Sequence, residues 1–106
     1  MTRALIICAG GMSSSMIAMK TQELLQKQGY EIEMTARGTQ GGKVEIEKNS
    51  FDLFLISPQT KMYYKMLSET AEKSGAHICQ IPPQAYIPVP VGIEKMAELV
   101  KKELSL

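Results

Sequence analysis

A thiol stands between a short apolar run and a turn of small residues near the start of the chain. Cys8 follows the apolar residues 4–7 and is itself followed by Ala9, Gly10, Gly11, Met12, Ser13, Ser14 and Ser15. Glycine adopts backbone angles that other residues avoid, and serine is favoured at the N-terminus of a helix. We therefore expect a strand that leads into Cys8, a sharp turn after it, and a helix that begins near Ser13.

This arrangement predicts an anion site with a reactive sulfur beside it. Backbone N–H groups converge at the start of a helix, where the positive end of the helix dipole favours a group such as phosphate. A thiol in that position commonly has a pKa of about 3.5–7.5 instead of about 8.5. We predict that Cys8 is a nucleophile and that residues 9–15 form a phosphate-binding loop. The alternative is that Cys8 is only the buried last residue of a strand, because free cysteines are often buried.

Length, charge and cysteine content limit the possible functions. The 106 residues predict a single domain over residues 1–106, and a net charge of +1 gives no reason to expect a nucleic-acid partner. No apolar stretch approaches the roughly 20 residues of a membrane span, so we expect no direct insertion into a membrane. Two separated cysteines and one histidine suggest neither a disulfide framework nor a metal site, and we expect no cofactor. A working thiol needs a reducing compartment, which predicts a cytoplasmic protein.

Strand and helix patterns alternate along the chain. Strands are expected at residues 2–7, 30–36, 51–56 and 77–81, and helices at residues 13–28, 43–49, 61–74 and from Ile93 onward. Arg37 to Gly42 is expected to be a glycine-rich loop, and the four prolines of Pro82 to Gly92 predict a second loop. This alternation predicts an α/β fold, in which a doubly wound, four-stranded parallel sheet of order 2-1-3-4 is the middle of three layers. Its ligand edge, at the carboxyl ends of the strands, would include Cys8.

The segment from Cys8 to Ser15 resembles the phosphocysteine loop of enzyme IIB of the bacterial sugar phosphotransferase system, lactose/cellobiose/chitobiose type. The Pro58-Gln59 pair, the chain length and the order of elements extend this resemblance over nearly the whole chain. The resemblance implies a flavodoxin-like fold, similar to that of low-molecular-weight tyrosine phosphatases. It also implies that Cys8 accepts phosphate from a phosphohistidine of enzyme IIA. The phosphate would then pass to a sugar, such as a β-linked disaccharide, bound by the membrane component IIC.

Three further residues are candidates for contacts with the phosphate or with a partner protein. Gln59 and Thr60 follow the third predicted strand, where they could equally well be structural residues at the start of a helix. Tyr86 resembles a tyrosine in the corresponding loop of the family, although the family often has glycine where this chain has Ile87.

Two other function classes remain open for a reactive Cys8. Low-molecular-weight tyrosine phosphatases carry arginine at the position of Ser14, and their general-acid aspartate is not evident here because Ser57 precedes Pro58. These departures favour a phosphate carrier over a hydrolase. A thiol redox sensor is the third possibility, and it would form a lasting sulfenic acid or mixed disulfide without a phosphate donor.

Overall fold

The fold alternates strands and helices along the entire described chain. A computed structural model describes residues 2–8 and 13–106. The strands are β1 (Thr2–Ile7), β2 (Ile32–Arg37), β3 (Leu53–Ile56) and β4 (Ile78–Gln80), and the helices are α1 (Ser13–Lys27), α2 (Thr39–Lys48), α3 (Tyr64–Ser74) and α4 (Pro90–Glu103). Two short 3-10 helices, Pro58–Tyr63 and Pro83–Ala85, precede α3 and α4.

The four strands form one parallel sheet of order β2-β1-β3-β4, which confirms the predicted topology. β1 lies in the interior, where Leu5 is paired with Thr35 of β2 on one side and with Phe54 of β3 on the other. The residues Ala4–Ile7 and Leu53–Ile56 are completely buried, as expected for strands covered on both faces. The chain passes from β1 to one side of the sheet and returns to the other side at β3, so the switch point lies beside β1.

Alternate residues of the central strands enter two separate hydrophobic cores. Ala4 and Ile6 of β1 pack with residues of α1 and α4, including Leu25 and Met96. On the other face of the sheet, a second core forms around Leu5, Ile7, Phe54, Ile56, Ile46 of α2 and Leu67 of α3. The predicted three layers, with helices on both faces of the sheet, are therefore confirmed.

The predicted loop from Arg37 to Gly42 is wrong except at Gly38, because Arg37 is the last residue of β2 and α2 begins at Thr39 and includes Gly41 and Gly42. A Cβ atom on Gly42 would come within 2.6 Å of Ile7 Cγ1. This glycine therefore permits close packing of α2 on β1, and it is not required for a turn.

The predicted starts of the last two helices also differ from the structure. The expected helix at residues 61–74 is divided into the 3-10 helix Pro58–Tyr63 and α3. The proline-rich segment ends earlier than predicted, because Pro90 opens α4. Proline is well suited to the first turn of a helix, because an N–H group there has no partner within the helix and its absence is tolerated. No helix in residues 2–8 and 13–106 combines the length and the apolar character that a membrane span requires.

Candidate active site

Cys8 lies directly beyond the carboxyl end of β1, at the switch point of the sheet. Its backbone N–H donates to the Arg37 carbonyl at 3.0 Å, and the Ser57 N–H donates to the Ile7 carbonyl at 2.9 Å. These bonds extend the pairing of β1 with both neighbouring strands as far as the cysteine. The residue is 1% exposed, so its sulfur is held in a defined position at the ligand edge of the sheet.

Gln59 contacts the sulfur from the segment that follows β3. The Cys8 thiol donates to the Gln59 side-chain oxygen Oε1, with 3.5 Å between sulfur and oxygen. Gln59 is the second residue of the 3-10 helix Pro58–Tyr63, and its side chain is exposed. The structure thus brings together two candidate residues that are 51 positions apart in the sequence.

Tyr86 is the second candidate that the fold brings to the cysteine. Its hydroxyl oxygen is buried beside the side chains of Cys8 and Ser14, and it makes no hydrogen bond of regular geometry to another described residue. Burial raises the pKa of Tyr86 well above its ordinary value, and the neighbouring Cys8 side chain raises this pKa further, while the Ser14 hydroxyl acts in the opposite direction. The phenol is therefore neutral at physiological pH and can donate a hydrogen bond to an anion.

The serines after the cysteine occupy the first turn of α1. Ser13 begins the helix, Ser14 is 5% exposed and Ser15 is exposed. The other members of the predicted phosphate-binding loop, Ala9, Gly10, Gly11 and Met12, lie outside the described residues. The phosphate-binding role of the segment therefore stays a prediction. Within its described part, Ser14 lies next to Tyr86.

Thr60 takes part in the framework of the site. Its hydroxyl is 2.7 Å from that of Ser57, both residues are buried, and its backbone N–H donates to the Ser57 carbonyl at 3.0 Å. These bonds close the turn that carries Gln59. Ser57 is a member of this turn that was not predicted from the sequence. The available signal in the sequence was the spacing of two hydroxyl residues, Ser57 and Thr60, which are three positions apart, with Pro58 directly after the first.

His77, Asp52 and Cys79 also have side chains that could take part in catalysis, but their contacts in the structure indicate structural roles. His77 Nε2 is 2.9 Å from Glu103 Oε1, before the start of β4 and so at the amino edge of the sheet. Asp52 accepts a hydrogen bond from the backbone N–H of Arg3 at 2.8 Å, ahead of β3. Burial, with a smaller contribution from the charge of Glu103, raises the pKa of the Cys79 thiol to about 12. Cys79 is therefore unsuited to act as a nucleophile near neutral pH.

Comparison of the sequence with known proteins identifies the family that the segment from Cys8 to Ser15 resembles. Residues 3–102 match the model of the family described as "PTS system, Lactose/Cellobiose specific IIB subunit". The chain is 31% identical over 86 residues to the oligo-beta-mannoside-specific EIIB component of the phosphotransferase system of Bacillus subtilis (strain 168). The aligned part covers 81% of this chain and 82% of that relative.

Solved structures agree at the level of the fold. The lactose-specific IIB component domain from Streptococcus pneumoniae has a TM-score of 0.82 at 20% identity, with 96% of each chain covered. The cellobiose-specific IIB component from Borrelia burgdorferi has a TM-score of 0.73 at 22% identity, with 98% of this chain and 92% of that chain covered. The match to the family model spans nearly the whole sequence, and this chain therefore belongs to the lactose/cellobiose-specific IIB family of the sugar phosphotransferase system.

Proposed function

We propose that this protein is a phosphoryl carrier and that Cys8 is the residue that becomes phosphorylated. Phosphate would come from a phosphohistidine of enzyme IIA and pass to a sugar bound by the membrane component IIC during uptake. This is the activity of a protein-phosphohistidine–sugar phosphotransferase. The observation that carries the proposal is the position of Cys8 at the switch point of the sheet, in contact with Gln59 and Tyr86, in a chain of the IIB family.

The transfer consists of two displacements at phosphorus. In the first, the sulfur of Cys8 forms an S–P bond as the N–P bond of the donor histidine breaks, and the proton of the thiol ends on the released imidazole. In the second, a sugar hydroxyl forms an O–P bond as the S–P bond breaks, and the hydroxyl proton returns to the sulfur. Phosphoryl transfer of this kind depends mainly on positioning and on stabilisation of charge on the phosphoryl oxygens.

The described residues support the charge-stabilising part of this proposal. The neutral phenol of Tyr86 is a hydrogen-bond donor beside the sulfur, and the hydroxyl of Ser14 lies next to that phenol. The N–H groups of the predicted loop from Ala9 to Ser15 would add donors at the N-terminus of α1. Because Cys8 must stay reduced to act, we infer that the protein works in the cytoplasm.

The sugar class is inferred from the names of similar proteins. The Bacillus subtilis relative is named for an oligo-beta-mannoside, and the two solved structures are named for lactose and cellobiose. These sugars share a β-glycosidic linkage, which supports a β-linked disaccharide or short oligosaccharide as the final acceptor.

Incubation with phosphorylated enzyme IIA, followed by intact-mass measurement, tests the proposal. We expect the mass to increase by one phosphoryl group in the parent protein and in Cys79→Ser, which is the matched control for loss of a thiol. Cys8→Ser should stay unmodified on the same timescale. The proposal would be contradicted if Cys8→Ser were phosphorylated normally, or if no IIA of its family phosphorylated the parent protein.

A further inference from the structure

The side-chain amide of Gln59 contacts the sulfur through its acceptor end. In the thiol form, Cys8 donates to Gln59 Oε1 at 3.5 Å. A thiolate has no proton to donate, and neither has a phosphorylated sulfur. In either of those states the partially negative Oε1 would face a negative group, whereas the Nε2–H of the same amide is a donor.

The backbone that carries Gln59 is fixed, whereas its side chain is exposed. Ser57 is bound to the end of β1 through its N–H, at 2.9 Å from the Ile7 carbonyl. The buried hydroxyls of Ser57 and Thr60 are 2.7 Å apart and hold the turn on both sides of Gln59. The amide can therefore rotate about its last side-chain bond while its backbone position relative to Cys8 stays constant, and water can solvate the end that points away from the sulfur.

We propose that the side-chain amide of Gln59 flips when Cys8 loses its proton or gains a phosphoryl group, so that Nε2–H replaces Oε1 as the group facing Cys8. Gln59 is then a catalytic residue, because it touches the reacting sulfur and stabilises its nucleophilic form. The phosphoryl part of this inference rests on the proposed function, while the thiolate part does not. A carboxylate at this position could not act in the same way, because it accepts hydrogen bonds only and adds a negative charge.

The direction in which the pKa of Cys8 changes when Gln59 is replaced distinguishes an amide that flips from one that stays fixed. If the amide turns, Gln59→Met removes a hydrogen bond to the thiolate, and the pKa of Cys8 rises by about one to two units, because a hydrogen bond to a charged group stabilises the charged form. If the amide keeps Oε1 toward the sulfur, the same substitution removes a partner of the neutral thiol only, and the pKa falls. Tyr86 is a titratable group that also faces Cys8, and it is retained in both proteins.

The experiment is an ultraviolet titration of the thiolate in a Cys79→Ala background, where Cys8 is the single cysteine. Gln59→Met and the matched control Gln40→Met, which changes an exposed glutamine at the start of α2, are compared with the parent. We expect a pKa increase in Gln59→Met and none in Gln40→Met. A decrease or no change in Gln59→Met, or an equal increase in both variants, would overturn the proposal.

Side-chain amide signals in NMR spectra of the unsubstituted protein provide a second measurement that needs no variant. The NH₂ signals of Gln59 should shift with the same midpoint as Cys8 and shift again after phosphorylation by IIA, while those of Gln40 stay unchanged. A Gln59 signal that does not follow the titration overturns the inference. If the titration behaves as expected but IIA transfers no phosphate, the proposed function fails and the turning amide stands.

Discussion

The two cysteines of this chain have opposite chemical surroundings. Cys8 lies at the ligand edge of the sheet beside Gln59 and Tyr86. Cys79 lies in β4 and packs against the core that α1 and α4 cover. Burial raises the pKa of Cys79 to about 12, so its thiol keeps its proton over the whole physiological range. A chemical difference between the two sulfurs should therefore be measurable without any partner protein.

We predict that alkylation modifies Cys8 with a midpoint below about 8.5, the ordinary pKa of a thiol, because the start of a helix favours the thiolate. Cys79 should stay unmodified until the pH approaches its raised pKa of about 12. Mass spectrometry of the alkylated peptides as a function of pH measures both reactions in one sample. Cys8→Ser is the control for slow modification of Cys79. A midpoint for Cys8 at or above 8.5, or equal rates at the two cysteines near neutral pH, would refute this prediction.

At the level of the secondary structure elements, the start of α2 is where prediction from the sequence failed. Two adjacent glycines and a flanking threonine and glutamine suggest a loop, because glycine weakens a helix by about 1 kcal/mol. The structure gives Gly42 a different purpose, since its missing side chain leaves space for the side chain of Ile7. A requirement of this kind depends on which strand lies under the helix, and local sequence carries no record of that contact.

The adjacent glycines should therefore respond oppositely to alanine. A Cβ on Gly42 would lie within 3.0 Å of three side-chain atoms of the buried Ile7, and such overpacking costs about 1–3 kcal/mol. A Cβ on Gly41 would meet only Arg37 atoms at 3.8 Å, and alanine there gains up to about 1 kcal/mol of helix propensity. Urea unfolding of both variants measures the free energies. Destabilisation by Gly41→Ala and none by Gly42→Ala would show that this packing argument is wrong.

For the molecule as a whole, the sequence was sufficient to predict the order of strands and to name Gln59 and Tyr86 as candidates, but not to predict their contacts with Cys8. Alternating strands and helices leave few topologies, because parallel strands connected through helices cross over with one hand. Contact between Cys8 and Gln59 depends instead on the turn that Ser57 and Thr60 close beyond β3. Tyr86 reaches Cys8 from the segment between Pro83–Ala85 and α4. Such convergence depends on loop conformations, which local patterns of hydrophobicity do not specify.

A carrier must protect its phosphate from water and still release it to a partner. The phosphatases whose loop resembles this one present arginine at the position of Ser14, and arginine offers a charged, bidentate fork to phosphoryl oxygens. Serine offers one neutral donor, which gives less stabilisation to attack by water. A docked partner supplies its own nucleophile and holds the reacting atoms in line, so transfer need not be slowed equally.

We therefore predict that Ser14→Arg shortens the lifetime of phosphorylated Cys8 in water. Ser14 is 5% exposed and interacts with Tyr86 beside the sulfur, so a guanidinium built from this position would lie close to the phosphoryl group. The protein is phosphorylated by IIA, separated from the donor, and followed by intact mass, with Ser14→Gln as the control for side-chain bulk without charge. Equal lifetimes of the parent and Ser14→Arg would show that the absence of arginine does not protect the intermediate. Loss of phosphate from the parent to water as fast as to an added acceptor would contradict the carrier function itself.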